Sequence, residues 1–231
     1  MEKLHLWWSN GCFRFYALLA ACLLLTRLPV IGIYFRLLST MVHEGGHVLM
    51  ALLLRDNPKQ VSLFQDTSGI ATVESSSRWK TLLVALSGYP LPALTSFLCF
   101  WLLQQGHAVA CVWGVTIVTG LFLLCYIRNA FGILWSLSFM ALHIFLLYKK
   151  SLFWIEILAQ TDTFVLLADA LLSCMILVRI ALQHPKQSGD AYNISRITHL
   201  PSLFVALIFL SFNAFVCYCC IRRFFPAFAS C

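Results

Sequence analysis

Long apolar runs separated by short polar connectors make up most of this chain. A helix needs about 20 apolar residues to cross the hydrocarbon core of a bilayer. The segments that approach this length are residues 15–34, 36–54, 81–103, 108–127, 130–148, 163–183 and 200–221. The pattern predicts an all-α polytopic membrane protein with about six to seven transmembrane helices.

Two parts of this pattern are irregular. Arg27 and Pro29 interrupt the first segment, so we expect that helix to be kinked or to end early. Residues 151–162 are too short and too polar to cross a bilayer alone. We expect them to lie at the interface or to extend the sixth helix, with Trp154 at headgroup depth.

The longest polar connector, about residues 55–80, has the pattern of a hairpin. Gln60–Phe64 and Ile70–Val73 alternate as short strands do, and Asp66–Gly69 between them has turn-forming residues. The sequence therefore predicts a small β-hairpin after the second hydrophobic segment.

Composition indicates that the bilayer is the main partner of the chain. Apolar residues make up 61% and charged residues 11%, against about 45–50% and about 25% in soluble domains, and the mean hydropathy is +0.85. We expect one membrane-embedded domain over residues 1–231. The net charge of +7 is spread over connectors and segment ends, which suits anionic headgroups and gives no support for nucleic-acid binding. Five of the ten cysteines lie within apolar runs, where they act as small hydrophobic residues.

Basic residues predict the orientation. They precede the first segment and flank the hairpin at Lys3, Arg14, Arg55, Lys59, Arg78 and Lys80. The loop 104–107 has no Lys or Arg, so the positive-inside rule places the N-terminus and the hairpin in the cytoplasm. With seven crossings, Lys149, Lys150, Arg222 and Arg223 then lie outside, against that rule.

The second segment contains His43-Glu44-Gly45-Gly46-His47, an H-E-x-x-H motif. Residues four apart on an α-helix are about 40° apart around its axis and about 6 Å apart along it. His43 and His47 can therefore bind one ion, and Glu44 can take a proton from water at the metal. A carboxylate in mid-membrane costs about 2.5–3.5 kcal/mol on insertion scales, and a zinc ion would compensate for it.

A catalytic zinc needs a third protein ligand, and the residues alone leave its identity open. Asp169 lies inside the sixth segment, where burial favours a metal partner unless a proton or Arg179 neutralises it. Asp190 lies just before the last segment, after a Ser-Gly pair. His143 and His199 are further candidates, although a lone histidine in a bundle is usually a hydrogen-bonded packing residue.

Two other clusters combine polar or helix-breaking residues with a membrane segment. Ser87–Ala93 contains a glycine and two prolines, which are tolerated there when they are buried in protein or line a cavity. Arg128–Gly132 places a cation and an amide at a segment junction. That pair is either a membrane-boundary anchor or a donor pair that orients a carbonyl at the site.

Several ordered motifs together resemble one known family. They are the H-E-x-G-H of residues 43–47, the loop Asp66–Gly69 with Ser77–Trp79, Ser87-Gly88-Tyr89 with Pro92-Ala93-Leu94, Arg128-Asn129-Ala130-Phe131-Gly132, and Gly189-Asp190-Ala191 with Thr198 and Pro201. In this order they resemble the short, PDZ-less, B-like branch of the site-2-protease superfamily of intramembrane zinc metalloproteases. Ser87 stands where the family usually has alanine, and the Asp-Gly motif that carries the third ligand elsewhere in the superfamily is missing.

The resemblance implies a zinc-dependent peptidase that cleaves membrane-protein substrates, in the plasma membrane of a bacterium. It implies that Asp190 completes the zinc site of His43 and His47, and that Glu44 is the general base. A zinc-binding regulator that cleaves nothing is an alternative, although it would not need Glu44. A metal or proton transporter is another, but ionisable residues would then lie on several segments.

Overall fold

The computed structural model describes residues 11–225, which form a helical bundle with one small sheet. In chain order the elements are α1 Gly11–Leu25, α2 Ile31–Leu53, β1 Asn57–Leu63, β2 Gly69–Glu74, α3 Arg78–Ser87, α4 Pro90–Gln104, α5 Ala108–Cys125, α6 Ala130–Lys149, α7 Leu152–Gln183, α8 Gly189–Thr198 and α9 Ser202–Phe224. The expected helical architecture, with a hairpin after the helix that carries the H-E-x-x-H motif, is confirmed at this level.

Fewer helices are long and apolar enough to cross a membrane than the sequence indicated. Within residues 11–225, α5, α6, α7 and α9 are long and apolar enough to cross, and the pair α3–α4, bent by 44°, would make a fifth crossing. The count of six to seven is therefore not confirmed. The 23 residues of α2 are long enough to cross, but Arg36, His43, Glu44 and His47 lower its mean hydropathy. The apolar stretch of α1 is shorter still.

Helix boundaries follow the irregular positions in the sequence. The first helix ends at Leu25, before Pro29, as expected. The next helix begins at Ile31, several residues earlier than the predicted segment 36–54. Residues 151–162 extend the following helix, so that α7 is one element of 32 residues. Its early part is supported by neighbouring helices, because Ile155 and Leu158 are 2% and 5% exposed.

The predicted hairpin is confirmed, and both strands are slightly longer than expected. The strands β1 and β2 pair antiparallel. In the turn, Asp66 Oδ1 accepts hydrogen bonds from the Ser68 backbone N–H at 3.0 Å and from its hydroxyl at 2.6 Å. The other edge of β1 is also used, because the Val61 N–H donates to the Tyr126 carbonyl at 2.9 Å. The outer edge of β2 is the free edge of this two-stranded sheet.

Asn129 fastens the hairpin to the α5–α6 junction. Its side-chain Nδ2 donates to the Leu63 carbonyl at 2.6 Å, and its Oδ1 accepts from the Leu63 N–H at 3.1 Å. A Cβ at Gly132 would lie 2.6 Å from this Oδ1, so glycine provides the space for the amide. Arg128 donates to the carbonyls of Leu124 and Ile127 at 3.2 and 2.9 Å. These contacts favour an anchoring role for the pair over the orientation of a substrate carbonyl.

The centre of the bundle is α7, which packs against α1, α2, α4, α5 and α9. Phe164, Val165, Leu166 and Leu167 on this helix are 0–1% exposed. The fully buried His143 of α6 also contacts it, with 2.9 Å between His143 Nε2 and the Asp162 carboxylate. As the sequence suggested for a lone histidine, His143 is a hydrogen-bonded packing residue.

The hairpin, the α5–α6 junction and α8 lie at one end of the bundle, since β1 pairs with residue 127 and α8 packs on α3. Basic residues at this end are Arg55, Lys59, Arg78, Lys80, Arg128, Lys186 and Arg196. The opposite end carries Arg27, Lys149, Lys150, Arg222 and Arg223. The excess of basic residues supports the predicted cytoplasmic position of the hairpin end.

We expect cysteine labelling to give this orientation in a chain whose native cysteines have been replaced. Gln65→Cys, exposed beside the hairpin turn, should react with a membrane-impermeant maleimide only from the cytoplasmic side. Gln105→Cys, exposed in the connector after α4, should react only from outside. The opposite labelling pattern would contradict the orientation.

Candidate metal centre

A polar stripe runs along α2, the helix that carries the motif. Thr40, His43 and His47 lie three or four residues apart, and so do Thr40, Glu44 and His47, so that all four belong to one broad face. The imidazole rings of His43 and His47 have centroids 4.9 Å apart, and their Nε2 atoms are 3.2 Å apart. The i, i+4 spacing thus places both ring nitrogens at one point, as the sequence indicated.

Asp190 reaches this point from the other end of the chain. It lies in the first turn of α8, a short helix packed against α3. Its Oδ2 is 3.3 Å from His43 Nε2 and 3.2 Å from His47 Nε2. The three atoms form a nearly equilateral triangle that opens into a cavity.

The triangle has the dimensions of a tetrahedral zinc site. With metal–ligand distances of about 2.0–2.1 Å, tetrahedral geometry separates two ligand atoms by about 3.3–3.4 Å. The observed separations of 3.2–3.3 Å agree with this value. No other three His, Cys, Asp or Glu side chains between residues 11 and 225 converge in this way. Two histidines and one carboxylate are also a ligand set of catalytic zinc sites.

A hydrogen bond on the far side of His47 orients its ring. His47 Nδ1 lies 2.7 Å from the carbonyl oxygen of Val84 in α3. A proton on Nδ1 satisfies this carbonyl and leaves the Nε2 lone pair directed at the triangle. Metal-binding histidines usually have such a second partner, which sets the tautomer and the ring orientation.

Two glycines let the neighbouring helices approach the histidines closely. A Cβ at Gly46 would lie 2.5 Å from the backbone oxygen of Ser87, so α2 and the end of α3 are in backbone contact. A Cβ at Gly88 would lie 2.6–2.7 Å from atoms of both imidazole rings. The break between α3 and α4 therefore forms one wall of the metal centre, which explains the Gly-Tyr-x-x-Pro pattern inside an apolar segment.

We expect Gly88→Ala to disrupt metal binding. The added methyl group cannot fit unless one ring moves, and zinc affinity should fall by on the order of tenfold or more because ligand geometry is lost. Metal titration against a competing chelator measures the effect. Gly114→Ala in α5 is the matched control, since a Cβ there meets nothing within 4 Å. Equal zinc affinity of the two variants would contradict this role of Gly88.

The charge state of Asp190 suits a metal ligand. Burial alone would raise the pKa of its carboxyl group, but His47 and His43 outweigh this effect and hold the pKa below its usual range. The side chain is 17% exposed, so it still faces the cavity. The carboxylate is thus ionised beside protonated histidines in the metal-free protein, and a bound cation would take the place of their protons.

Glu44 is only 5% exposed and lies between the metal cluster and the hairpin. A Cβ at Gly69, the first residue of β2, would lie 2.8 Å from Glu44 Oε1. The turn before it is fastened to the same helix, because the Thr40 hydroxyl donates to the Thr67 carbonyl at 2.8 Å. Glu44 also lines a cavity of about 690 Å³ beside His43, His47 and Asp190. The hairpin thus forms the roof of the candidate site.

The competing ligand candidates lie elsewhere. The Asp169 carboxylate pairs with Arg36, with 2.8 Å between Arg36 Nε and Asp169 Oδ1. The prediction that Arg179 neutralises Asp169 is wrong. The cation that pairs with Asp169 is Arg36 on α2. His199 ends α8 with a left-handed backbone, at a φ of 62°.

Sequence reasoning missed three contributors to the centre. Val84 contributes only its backbone carbonyl, so its residue type carries no signal. Gly88 and Tyr89 were noted as part of a helix break and of a family motif, but no contact with the histidines was expected. The Tyr89 ring packs edge-on against His43 with 4.6 Å between ring centroids. A helix break in the next apolar segment after an H-E-x-x-H helix is the sequence signal that could have indicated Gly88 and Tyr89.

The fold and the centre define a class: a helical membrane protein with a His, His, Asp cluster on an H-E-x-x-H helix. The family model described as Peptidase M50B-like matches residues 15–220. The chain therefore belongs to the Peptidase M50B-like family, the B-like branch of the site-2-protease superfamily. No curated protein and no solved structure matches the chain significantly.

Proposed function

We propose that this protein is a zinc-dependent endopeptidase that hydrolyses peptide bonds in the membrane segments of other proteins. One observation carries the proposal: three ligand atoms lie 3.2–3.3 Å apart, next to a general base in the wall of a cavity. Membership of the Peptidase M50B-like family supports the same reaction class. The single-domain organisation and a bacterial plasma membrane remain part of this proposal, the latter by resemblance.

Each residue of the centre has a separate task. His43, His47 and Asp190 would hold the zinc ion, which when bound supplies a Lewis acid that polarises the substrate carbonyl and acidifies water. Glu44 accepts a proton from the attacking water and returns it to the nitrogen of the leaving peptide. Such general acid–base catalysis contributes about 10²–10⁴-fold to the rate. The Val84 carbonyl keeps His47 in the required tautomer.

The hairpin supports an extended binding mode for the substrate. A helical segment shields its carbonyls in hydrogen bonds, so the cleaved bond must lie in unwound chain. The outer edge of β2 borders the same cavity through Gly69, Ala71 and Val73. No further described strand pairs with this edge, and the Ala71 backbone there contacts the Glu44 carboxyl group. An unpaired strand edge offers N–H and C=O groups that an extended peptide can pair with. Membrane-protein segments with weak helices are therefore the expected substrate class.

The proposal is tested by metal removal and replacement. Detergent-purified protein should hold about one zinc per chain, the number that one His, His, Asp cluster can bind, and should cleave peptides derived from transmembrane segments. Dialysis against a zinc chelator should abolish cleavage, and stoichiometric zinc should restore it. Cleavage that persists in fully metal-free protein would contradict the mechanism. Zinc binding without cleavage in the same assay would instead favour the non-proteolytic regulator.

A further inference from the structure

A second cavity lies beside Glu44, beneath the hairpin turn. It has a volume of about 200 Å³ and shares His43, Glu44, Gly69 and Tyr89 with the larger cavity. Its remaining walls come from α2, Thr67 of the hairpin turn, Pro92 of α4 and residues 169–173 of α7. The space therefore begins at the metal centre and extends into the bundle beneath the hairpin turn.

The inner wall of this cavity is polar. Asp169 faces it with a side chain that is 4% exposed. One carboxylate oxygen, Oδ1, accepts from Arg36 Nε at 2.8 Å, whereas Oδ2 has only a long 3.5 Å contact from the Ser173 hydroxyl. Oδ2 thus keeps acceptor capacity toward the cavity. Because Arg36 balances the carboxylate, the wall is polar but without net charge.

Such a pair is costly where it lies. Ionisable residues within membrane segments are expensive, and they usually mark functional sites. Replacing a buried ion pair with apolar residues is often neutral or stabilising, so packing alone does not require Arg36 and Asp169. The candidate metal cluster of His43, His47 and Asp190 does not include them either.

We propose that this cavity is a specificity subsite for the side chain of a substrate residue next to the cleaved bond. It would take a small, uncharged side chain that donates a hydrogen bond, such as serine, threonine or asparagine. The inference rests on the proposed peptidase function and names a feature of its substrates. Asp169 is the specificity-determining residue, and Arg36 is the positioning residue that holds its carboxylate.

Size, position and charge each support this occupant. A water molecule takes about 30 Å³ of liquid volume, so 200 Å³ is several times what one water needs. The walls shared with His43 and Glu44 place the opening within one side chain's reach of the reacting bond. Asp169 Oδ2 favours a donor, and the balancing cation removes any preference for lysine. A bulky apolar side chain would leave this carboxylate oxygen unsatisfied.

The test uses zinc-loaded full-length protein and a mixed library of apolar peptides with a randomised segment, presented in detergent micelles. Mass spectrometry of the products gives the side-chain preference at each position around the cleaved bonds. We expect serine, threonine and asparagine to exceed leucine and lysine on the order of tenfold at one adjacent position. Cleavage products that show no such preference at any position would overturn the proposal of a subsite.

Variants that unbalance the charge give opposite expected shifts at that same position. Arg36→Gln leaves the Asp169 carboxylate unpaired and should move the preference toward lysine and arginine. Asp169→Asn leaves the Arg36 guanidinium unpaired and should move it toward aspartate and glutamate. Glu156→Gln, an acid-to-amide change at an exposed position on the same helix, should change neither. A purely structural ion pair would alter overall activity without these opposite shifts.

An uncharged variant keeps the test decisive if the charge variants do not fold. Ser173→Leu narrows the cavity without changing its charge, and we expect the preference to move to glycine and alanine while zinc content stays constant. An unchanged preference would show that the cavity holds water only and would overturn the proposal. If zinc-loaded wild type cleaves no peptide at all, the peptidase function fails. If the protein cleaves peptides but the variants do not shift its side-chain preference at one position, only the subsite proposal fails.

Discussion

The Asp190→Asn variant should lose zinc, whereas Asp169→Asn should retain it. Asp190 Oδ2 lies 3.2–3.3 Å from both histidine nitrogens, so its removal takes away one of three ligands. Loss of a supporting residue around a metal site costs about 10–100-fold in affinity, and a direct ligand should cost on the order of 100-fold or more. His47→Ala should have an effect at least as large, because it also removes the bond to Val84.

Metal analysis of the purified variants, followed by titration against a chelator of known zinc affinity, measures these losses. Asp169→Asn serves as the matched control, since it makes the same chemical change at a buried carboxylate that pairs with Arg36. Zinc loss in Asp169→Asn with full retention in Asp190→Asn would reassign the third ligand to Asp169. Equal zinc content in wild type and His47→Ala would refute the metal centre altogether.

Replacing Glu44 with glutamine should nearly abolish peptide hydrolysis without releasing zinc. The amide keeps the volume of the side chain beside Gly69 but cannot accept the proton of the attacking water. The loss of a general base predicts a fall in kcat of about 10²–10⁴-fold with little change in KM. The measurement is cleavage of a transmembrane peptide by zinc-loaded protein, with zinc content determined on the same samples.

Glu156→Gln is the control for this exchange, because Glu156 is exposed on α7. A Glu44→Gln variant with wild-type turnover would exclude Glu44 as the base. A variant that loses both zinc and activity would give Glu44 a structural role at the cluster instead. If wild type and variant bind zinc equally and neither cleaves, the non-proteolytic regulator becomes the better description.

The residues themselves determined the features that depend on short-range geometry. His43 and His47 share a helix face because the α-helical repeat places residues four apart on one side. The hairpin was predictable because alternation and turn-forming residues are local, and the end of α1 because Pro29 cannot continue a helix. Membrane class followed from composition alone.

Helix starts and the number of crossings were less predictable. Ile31 begins α2 earlier than the apolar pattern suggested, and Gly32 in its first turn lies so close to Thr26 that a Cβ would come within 2.5 Å of the Thr26 carbonyl oxygen. The number of crossings depends on whether α2 and the bent α3–α4 pair pass through the bilayer. A hydropathy score treats each residue by itself. The free-energy cost of burying a polar residue inside a bundle depends on its hydrogen-bond or ion-pair partners, which the sequence does not reveal.

Only the tertiary structure decided which side chains meet. Asp190 and Asp169 are both acids near an apolar segment, and their residue types do not distinguish them. The packing of α8 on α3 brings Asp190 to the histidines, while Arg36, far away in sequence, takes Asp169. Contacts between residues distant in the chain depend on how the helices pack, and so does the second cavity. Local patterns therefore determined the H-E-x-x-H helix and the chemistry it offers, and packing determined which carboxylate joins the two histidines and the space beside them.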